Sequence, residues 1–238
     1  MPGQEEMSKG NHGGRFFIVA GAVLLAAAAG LTGYNLLQSR SADENAQRAL
    51  EALRAVIPQT AVEAQSATDL QSGDGAAKMA ADLFAGQDAP HMSAVVEYPD
   101  YVLNPNMEMP ESEIDGNMYI GILKIPALEI ELPVMSKWDY ARLRLSPCRY
   151  AGSVYLNNMV ICAHNYDRHF GGIKNLQLGD ELSFTDMDGN VFSYRVIEIE
   201  TLKPRASEEM KNGDWDLTLF TCTLGGATRV TVRCERVL

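Results

Sequence analysis

The stretch "DLTLFTCTLGGATRVTVRCERVL", residues 216–238, reads as two strands joined by a short loop. Side chains alternate along a strand, so Thr218, Phe220 and Cys222 share one face of Leu217–Cys222. On the second strand, Arg229–Val237, the residues Val230, Val232 and Cys234 form an apolar row. Arg229, Thr231, Arg233 and Glu235 form a polar row. Residues 223–228 connect the two and contain Gly225-Gly226. An antiparallel pairing sets Cys222 opposite Arg229 at the loop end. Arg233 then falls roughly 13 Å further down, at about 3.3 Å per residue.

Similar signals extend upstream. "ELSFTDMDGNVFSYRVIEIE" (181–200) predicts a hairpin around Asp188-Gly189. "MYIGILKI" (118–125), "LEIELPVM" (128–135) and "SVYLNNMVICAH" (153–164) carry the β-branched residues and alternation of strands. The expected total is seven or eight strands in roughly 120 residues, with a short helical candidate near 137–145 and a turn of helix at 172–177. Many strands with few helices predict a mainly β fold, a closed barrel or a sandwich.

The N-terminal half is different. Phe16–Leu37, "FFIVAGAVLLAAAAGLTGYNLL", has 22 residues and no charge. At about 1.5 Å per residue it can cross a bilayer core of roughly 30 Å. A cleaved signal peptide is the alternative, but its apolar region is shorter, about 7–15 residues. The reading is an uncleaved signal anchor, with 1–15 as a cytoplasmic tail and the C-terminal domain outside. Residues 41–57 predict a helix with Leu50, Leu53, Val56 and Ile57 on one face, ended by Pro58. Residues 38–116 are expected to form a stalk or linker, partly helical, and 117–238 the β domain.

The net charge of −11 arises beyond the anchor, because Lys9 and Arg15 balance Glu5 and Glu6 before it. That excludes a basic nucleic-acid surface and describes an acidic exterior domain. Cysteines lie at 148, 162, 222 and 234, at none of the spacings of a disulfide-stapled module, so mostly free thiols are expected.

Cys222 alone reads as a buried small hydrophobe or a nucleophile; Cys234, inside the apolar row, reads as structural. The β domain has two histidines. His164 closes the strand "NNMVICA" and opens the polar loop "NYDRHFGG"; His169 lies within that loop beside Phe170. Cysteine, histidine and arginine at strand mouths supply a nucleophile, a proton carrier and an oxyanion stabiliser. Cys162, His164 and Cys222 also offer a three-ligand metal alternative, which no CxxC or HxxxH spacing supports and which Arg229 opposes.

At these residues the chain resembles the sortases, membrane-anchored cysteine transpeptidases of mainly Gram-positive bacteria. "LTLFTC" resembles the family's TLxTC signature, and Arg229 in "RVTVRCERV" its catalytic arginine. "VICAHN" resembles the strand that ends in the catalytic histidine, with Ala163 where Gly is usual. "YIGILKIPALEIELPV" and "LQLGDELSFTDMDGNVFSYRVIEIETLKP" resemble its opening strands and central hairpin. The resemblance implies an eight-stranded sortase β-barrel. It implies catalytic Cys222, His164 and Arg229, and an LPxTG-like sorting signal cleaved between Thr and Gly through a thioester. The partners it implies are surface proteins or pilins bearing that signal, and an amine acceptor such as a cell-wall precursor or a pilin lysine. It implies a single-pass location in the cell membrane with the catalytic domain outside. No cofactor is implied; some class A members bind calcium through acidic loop residues, and no equivalent set is placed here, so calcium stays open. The short connection between "ETLKP" and "DWDLTLFTC" opposes the long helical insertion of class B. A peptidase that only hydrolyses, and a non-catalytic anchored β-barrel assembly module with Cys222 structural, are the competing readings.

Overall fold

The computed structural model describes residues 12–58 and 98–237. One long helix, α1 (His12–Val56), comes first. A single turn, α2 (Asp100–Leu103), leads into nine strands: β1 (Ser112–Ile114), β2 (Asn117–Ile125), β3 (Ile130–Met135), β4 (Cys148–Ala151), β5 (Met159–Ala163), β6 (Glu181–Asp186), β7 (Val191–Leu202), β8 (Leu217–Cys222) and β9 (Arg229–Val237). A five-residue helix, α3 (Ser207–Lys211), sits between β7 and β8.

The strand order β1-β2-β3-β4-β5-β8-β9-β7-β6 is closed by a second pairing, β2 with β6. The ring therefore runs from β2 through β6, a closed eight-stranded barrel, and β1 is an appendage hairpinned onto β2. Closure brings β2 and β6 into very close contact at Gly121. A Cβ there would lie 2.1 Å from the Thr185 carbonyl oxygen, and φ is +152°, so only glycine fits.

The barrel interior is filled by Ile120, Leu123, Leu132, Ile161, Phe184, Phe192, Leu219, Val232 and Cys234, all at or near zero exposure. The expected hairpin is present between β6 and β7. Its turn is built on the buried Asp186 carboxylate, which accepts from the Asp188 and Asn190 backbone N–H, from Asn190 Nδ2 and from the Tyr155 hydroxyl at 2.8–3.0 Å. The helical candidates at 137–145 and 172–177 are 3-10 turns at Arg142–Arg144 and Phe170–Asn175.

The helix differs from expectation in an informative way. The apolar run and the amphipathic 41–57 segment are one continuous element, ending just before Pro58. Its first part, from Phe16 to Leu37, is exposed, and it is the helix among the described residues that is long and apolar enough to cross a membrane. Its second part buries Ala42, Ala46, Ala49, Leu50, Leu53 and Ile57. Ala49, Leu50, Leu53 and Ile57 pack with Tyr119, Ile122, Met135 and Cys148 on the outside of β2, β3 and β4, Ala46 joins the barrel's own cluster, and Arg54 closes a salt bridge to Glu131 at 2.7 Å. Within the stretch 38–116, read from sequence as a partly helical stalk or linker, the helical segment 42–57 lies against the barrel. Small alanines and branched leucines at 3–4 residue spacing make that docking face. The remainder of the expected stalk, 59–97, and most of the 1–15 tail lie outside the described residues.

Candidate active site

Three neighbouring strands build the site. β5 and β8 run parallel, with Ala163 paired to Thr221. His164 and Cys222 are each one step past that pair, so they leave their strands at the same level and on the same face. The Thr221 hydroxyl donates to the Ala163 carbonyl at 2.8 Å and pins the two strand ends together. β8 and β9 are antiparallel, and Cys222 pairs with Arg229, as the hairpin pattern predicts. His164, Cys222 and Arg229 thus form a row across adjacent strands at the usual spacing of about 4.8 Å.

The connecting loop is tied shut. The Thr223 N–H donates to the Thr228 carbonyl at 3.0 Å, and the Thr228 N–H donates to Thr223 Oγ1 at 3.0 Å. Gly225 and Gly226 take φ of +78° and +73°, the left-handed region that lets so short a loop turn. Arg229 Nη1 donates to the carbonyls of Gly226 and Thr228 at 3.2 and 3.1 Å, which holds the guanidinium at the loop end.

All three side chains line one cleft of about 190 Å³. Its walls include features that strand periodicity does not reveal. Trp138, Tyr140, Tyr150 and Phe220 form a ladder of ring contacts at 5.2–5.8 Å between centroids, running from strand β8 out to the exposed Tyr140. The 203–210 segment adds Pro204, Ala206, Ser207 and Met210 to the lining. The sequence signal for the ladder is the "WDY" cluster, which falls inside the helical candidate at 137–145. Cys162 also lines the cleft, yet among the described residues no three His, Cys, Asp or Glu are grouped to hold a metal ion.

Burial, with the Arg144 cation second, holds His164 below the ordinary imidazole value. Its ring lies 4.9 Å from that of Tyr166, and Tyr166 lies 5.6 Å from His169. His169 is 1% exposed, and neither ring nitrogen meets a partner at hydrogen-bonding geometry. Burial first and the charge of His164 second hold it down to about 4, with the Ala42 backbone pulling the other way.

That depression has a sign. Between pH 6.5 and about 4 the unfolded chain binds a proton that folded His169 refuses. Stability therefore falls as pH drops through that window, by about 3 kcal/mol at most. His169→Phe should flatten this part of the curve in urea titrations at stepped pH; an unchanged slope would show that the ring is not buried neutral.

The family model described as "Sortase domain" matches residues 123–237. The barrel is a sortase domain. Solved structures to which it is similar include sortase C1 of GBS pilus island 1, at 22% identity over 50% of this chain and 64% of that one, with a TM-score of 0.45. Sortase C of Streptococcus pneumoniae aligns at 26% identity over 53% and 69%, TM-score 0.46. Sortase A of Corynebacterium diphtheriae aligns at 24% identity over 58% and 67%, TM-score 0.45. This chain thus spans less than two thirds of the first of these proteins. No curated protein matches it. The closed eight-stranded ring of this sortase domain is the architecture that the sequence resemblance implies.

Proposed function

We propose that the sortase domain is a cysteine transpeptidase. It cleaves an LPxTG-like sorting signal between Thr and Gly and passes the acyl group to an amine. The observation that carries this reading is the row His164, Cys222, Arg229 on three adjacent strands, opening on one cleft.

Each group has a chemical task suited to its place. The Cys222 thiolate attacks the threonine carbonyl, and the guanidinium of Arg229 stabilises the resulting oxyanion. A guanidinium presents several N–H donors in one plane to a developing oxyanion. Collapse of the tetrahedral adduct breaks the C–N bond, and His164 protonates the departing glycine amine, leaving a thioester on Sγ. An incoming amine then gives its proton to His164 and attacks the thioester, which releases the thiolate. The acceptor is a cell-wall precursor or a pilin lysine, and the donors are surface proteins or pilins with the C-terminal signal. The apolar half of α1 anchors the enzyme in the cell membrane with the barrel outside.

Product mass tests the reaction. A fluorogenic LPxTG-type peptide should give an amine-adduct peak when an amine is added; a water-only product with amine present assigns a hydrolytic peptidase instead. Arg229→Lys keeps the charge but loses the planar fork, and kcat/KM should fall by about 10²-fold, the scale of a lost oxyanion donor. Unchanged kcat/KM would remove Arg229 from the mechanism.

A further inference from the structure

Cys148, Cys162 and Cys234 take no part in the mechanism, and the first two face each other. Cys148 of β4 and Cys162 of β5 are register partners in an antiparallel pair, so both side chains leave the sheet on the same face. Directly opposed residues of such a pair have Cα atoms about 4.5–5.5 Å apart. A disulfide bridges Cα atoms at about 4.4–6.8 Å. The two thiols adjoin: Cys162 Sγ donates to the Cys148 carbonyl at 3.6 Å. Cys148 Sγ turns to the Ser146 carbonyl at 3.5 Å. Both residues belong to the apolar cluster under α1, at 0% and 3% exposure. All four thiols are free in this structure. Spacing along the chain does not announce the pair; strand register does.

We infer that Cys148 and Cys162 are a cross-strand disulfide site, oxidised by an external disulfide donor while the chain folds. The inference rests on the reading that the barrel lies outside the membrane, where disulfides form and persist. It does not rest on the transpeptidase chemistry. The step balances as thiol–disulfide exchange. One cysteine thiolate attacks the donor's S–S bond and releases one donor thiol. The other cysteine, deprotonated, attacks the mixed disulfide on the first and releases the second donor thiol. The pair gives up two electrons and two protons, and the donor leaves as two thiols. Cys148 Sγ quits the Ser146 carbonyl and turns about its Cα–Cβ bond toward β5.

The position has a structural use. β4 is the most thinly paired strand of the ring. It meets β3 at Met135–Cys148, and β5 at Cys148–Cys162, Arg149–Ile161 and Ala151–Val160, with a bulge between the last two. A covalent link at Cys148–Cys162 closes that seam. It also braces the cleft, because Cys162 lines it and stands two positions before His164 on the way out of β5. Burial sets the timing. It pushes the Cys148 thiol up to about 12 and holds Cys162 above the usual thiol range. The thiolate is the attacking species. The pair therefore reacts before α1 docks over it, and the docked helix afterwards shields the bond.

Peptide mapping of the full chain reads the bond directly. Trypsin cuts after Arg144, Arg149 and Arg168, so residues 145–149 and 150–168 separate unless they are bonded. The chain is expressed in a bacterial membrane, unfolded in urea with N-ethylmaleimide at lysis, and digested without reductant. The expected product is one linked species, lighter by two hydrogens than its two peptides together, beside alkylated Cys222 and Cys234. Alkylated Cys148 and Cys162, or a link from either to Cys222, overturns the inference. A membrane-impermeant maleimide on intact cells tests the premise separately. Cys222 that labels only after lysis defeats the exterior reading and the inference with it. Free Cys148 and Cys162, with Cys222 labelled in intact cells, defeat the disulfide alone. Stability gives a second readout, because the bond closes a loop of roughly 15 residues. A phosphine reductant present during a thermal scan in detergent should lower the Tm of the parent by roughly 6–12 °C. It should leave the Tm of the double variant Cys148→Ala, Cys162→Ala unmoved. Equal shifts in the two proteins, or no shift in the parent, overturn the inference.

Discussion

Cys222→Ala should abolish transpeptidation, lowering kcat by about four orders of magnitude or more, and leave the barrel folded. A covalent route has no substitute for its nucleophile, so the loss should approach the uncatalysed rate. Folding should barely register the change. Cys222 is half-exposed at the end of β8, where its neighbours are the cleft and a loop held by its own threonines. A melting temperature within about 2 °C of the parent is expected for a substitution that opens no core cavity. Cys234→Ala should do the reverse, retaining chemistry and costing stability, because Cys234 is at zero exposure inside the barrel. A methanethiosulfonate reagent separates the two roles without mutation. Burial pushes Cys148 up to about 12 and holds Cys162 and Cys234 above the usual thiol range. Cys222 should be the thiol that labels at neutral pH, with activity lost in proportion. Labelling without loss of activity would favour the non-catalytic assembly module.

Much of this site was legible because strand geometry is strict. Alternation and a six-residue loop are enough to set Cys222 against Arg229, and β9 adopts that register. The partnership with His164 needed more, since β5 and β8 are remote in sequence and meet only through a parallel pairing. Family resemblance, not periodicity, supplied that link. Alternation alone does not tell what covers the polar row of β9: Thr231 and Arg233 belong to it, and both are fully buried. The pattern of one strand reports that two faces differ, not what covers each. Here the cover is α3 with Trp215, five helical residues that carry little signal of their own. The same lesson applies to α1. Its apolar and amphipathic stretches were each recognisable, but only tertiary contact shows that the second is docked on the barrel.

Arg233→Ala should be the most destabilising single change in the domain outside the barrel's apolar core. Its side chain is at 0% exposure, and its guanidinium donates four hydrogen bonds and closes an ion pair with Glu200. Nε and Nη2 reach Glu200 at 2.8 Å, Nη1 donates to the Met210 carbonyl at 3.1 Å and to Thr218 Oγ1 at 3.0 Å, and Nη2 donates to the Glu209 carbonyl at 2.7 Å. The guanidinium also lies 3.9 Å from the Trp215 ring centroid. Truncation leaves a cavity, two helix carbonyls without their donor, and a carboxylate that is 28% exposed and only partly rescued by water. Removing one partner of such a pair costs about 3–5 kcal/mol when both are buried, so about 3 kcal/mol is expected here. The effect should also reach the cleft, because the carbonyls that Arg233 holds belong to α3, and Ser207 and Met210 of that helix form its wall. Arg233→Ala should therefore lower the urea midpoint and raise KM, while Arg229→Ala should lower kcat with the midpoint unmoved. Arg233→Lys retains the charge but satisfies fewer acceptors, and should fall between parent and alanine. A midpoint for Arg233→Ala equal to that of the parent would mean that α3 is not held by this side chain. The two arginines of one polar row would then differ in nothing but their distance from Cys222.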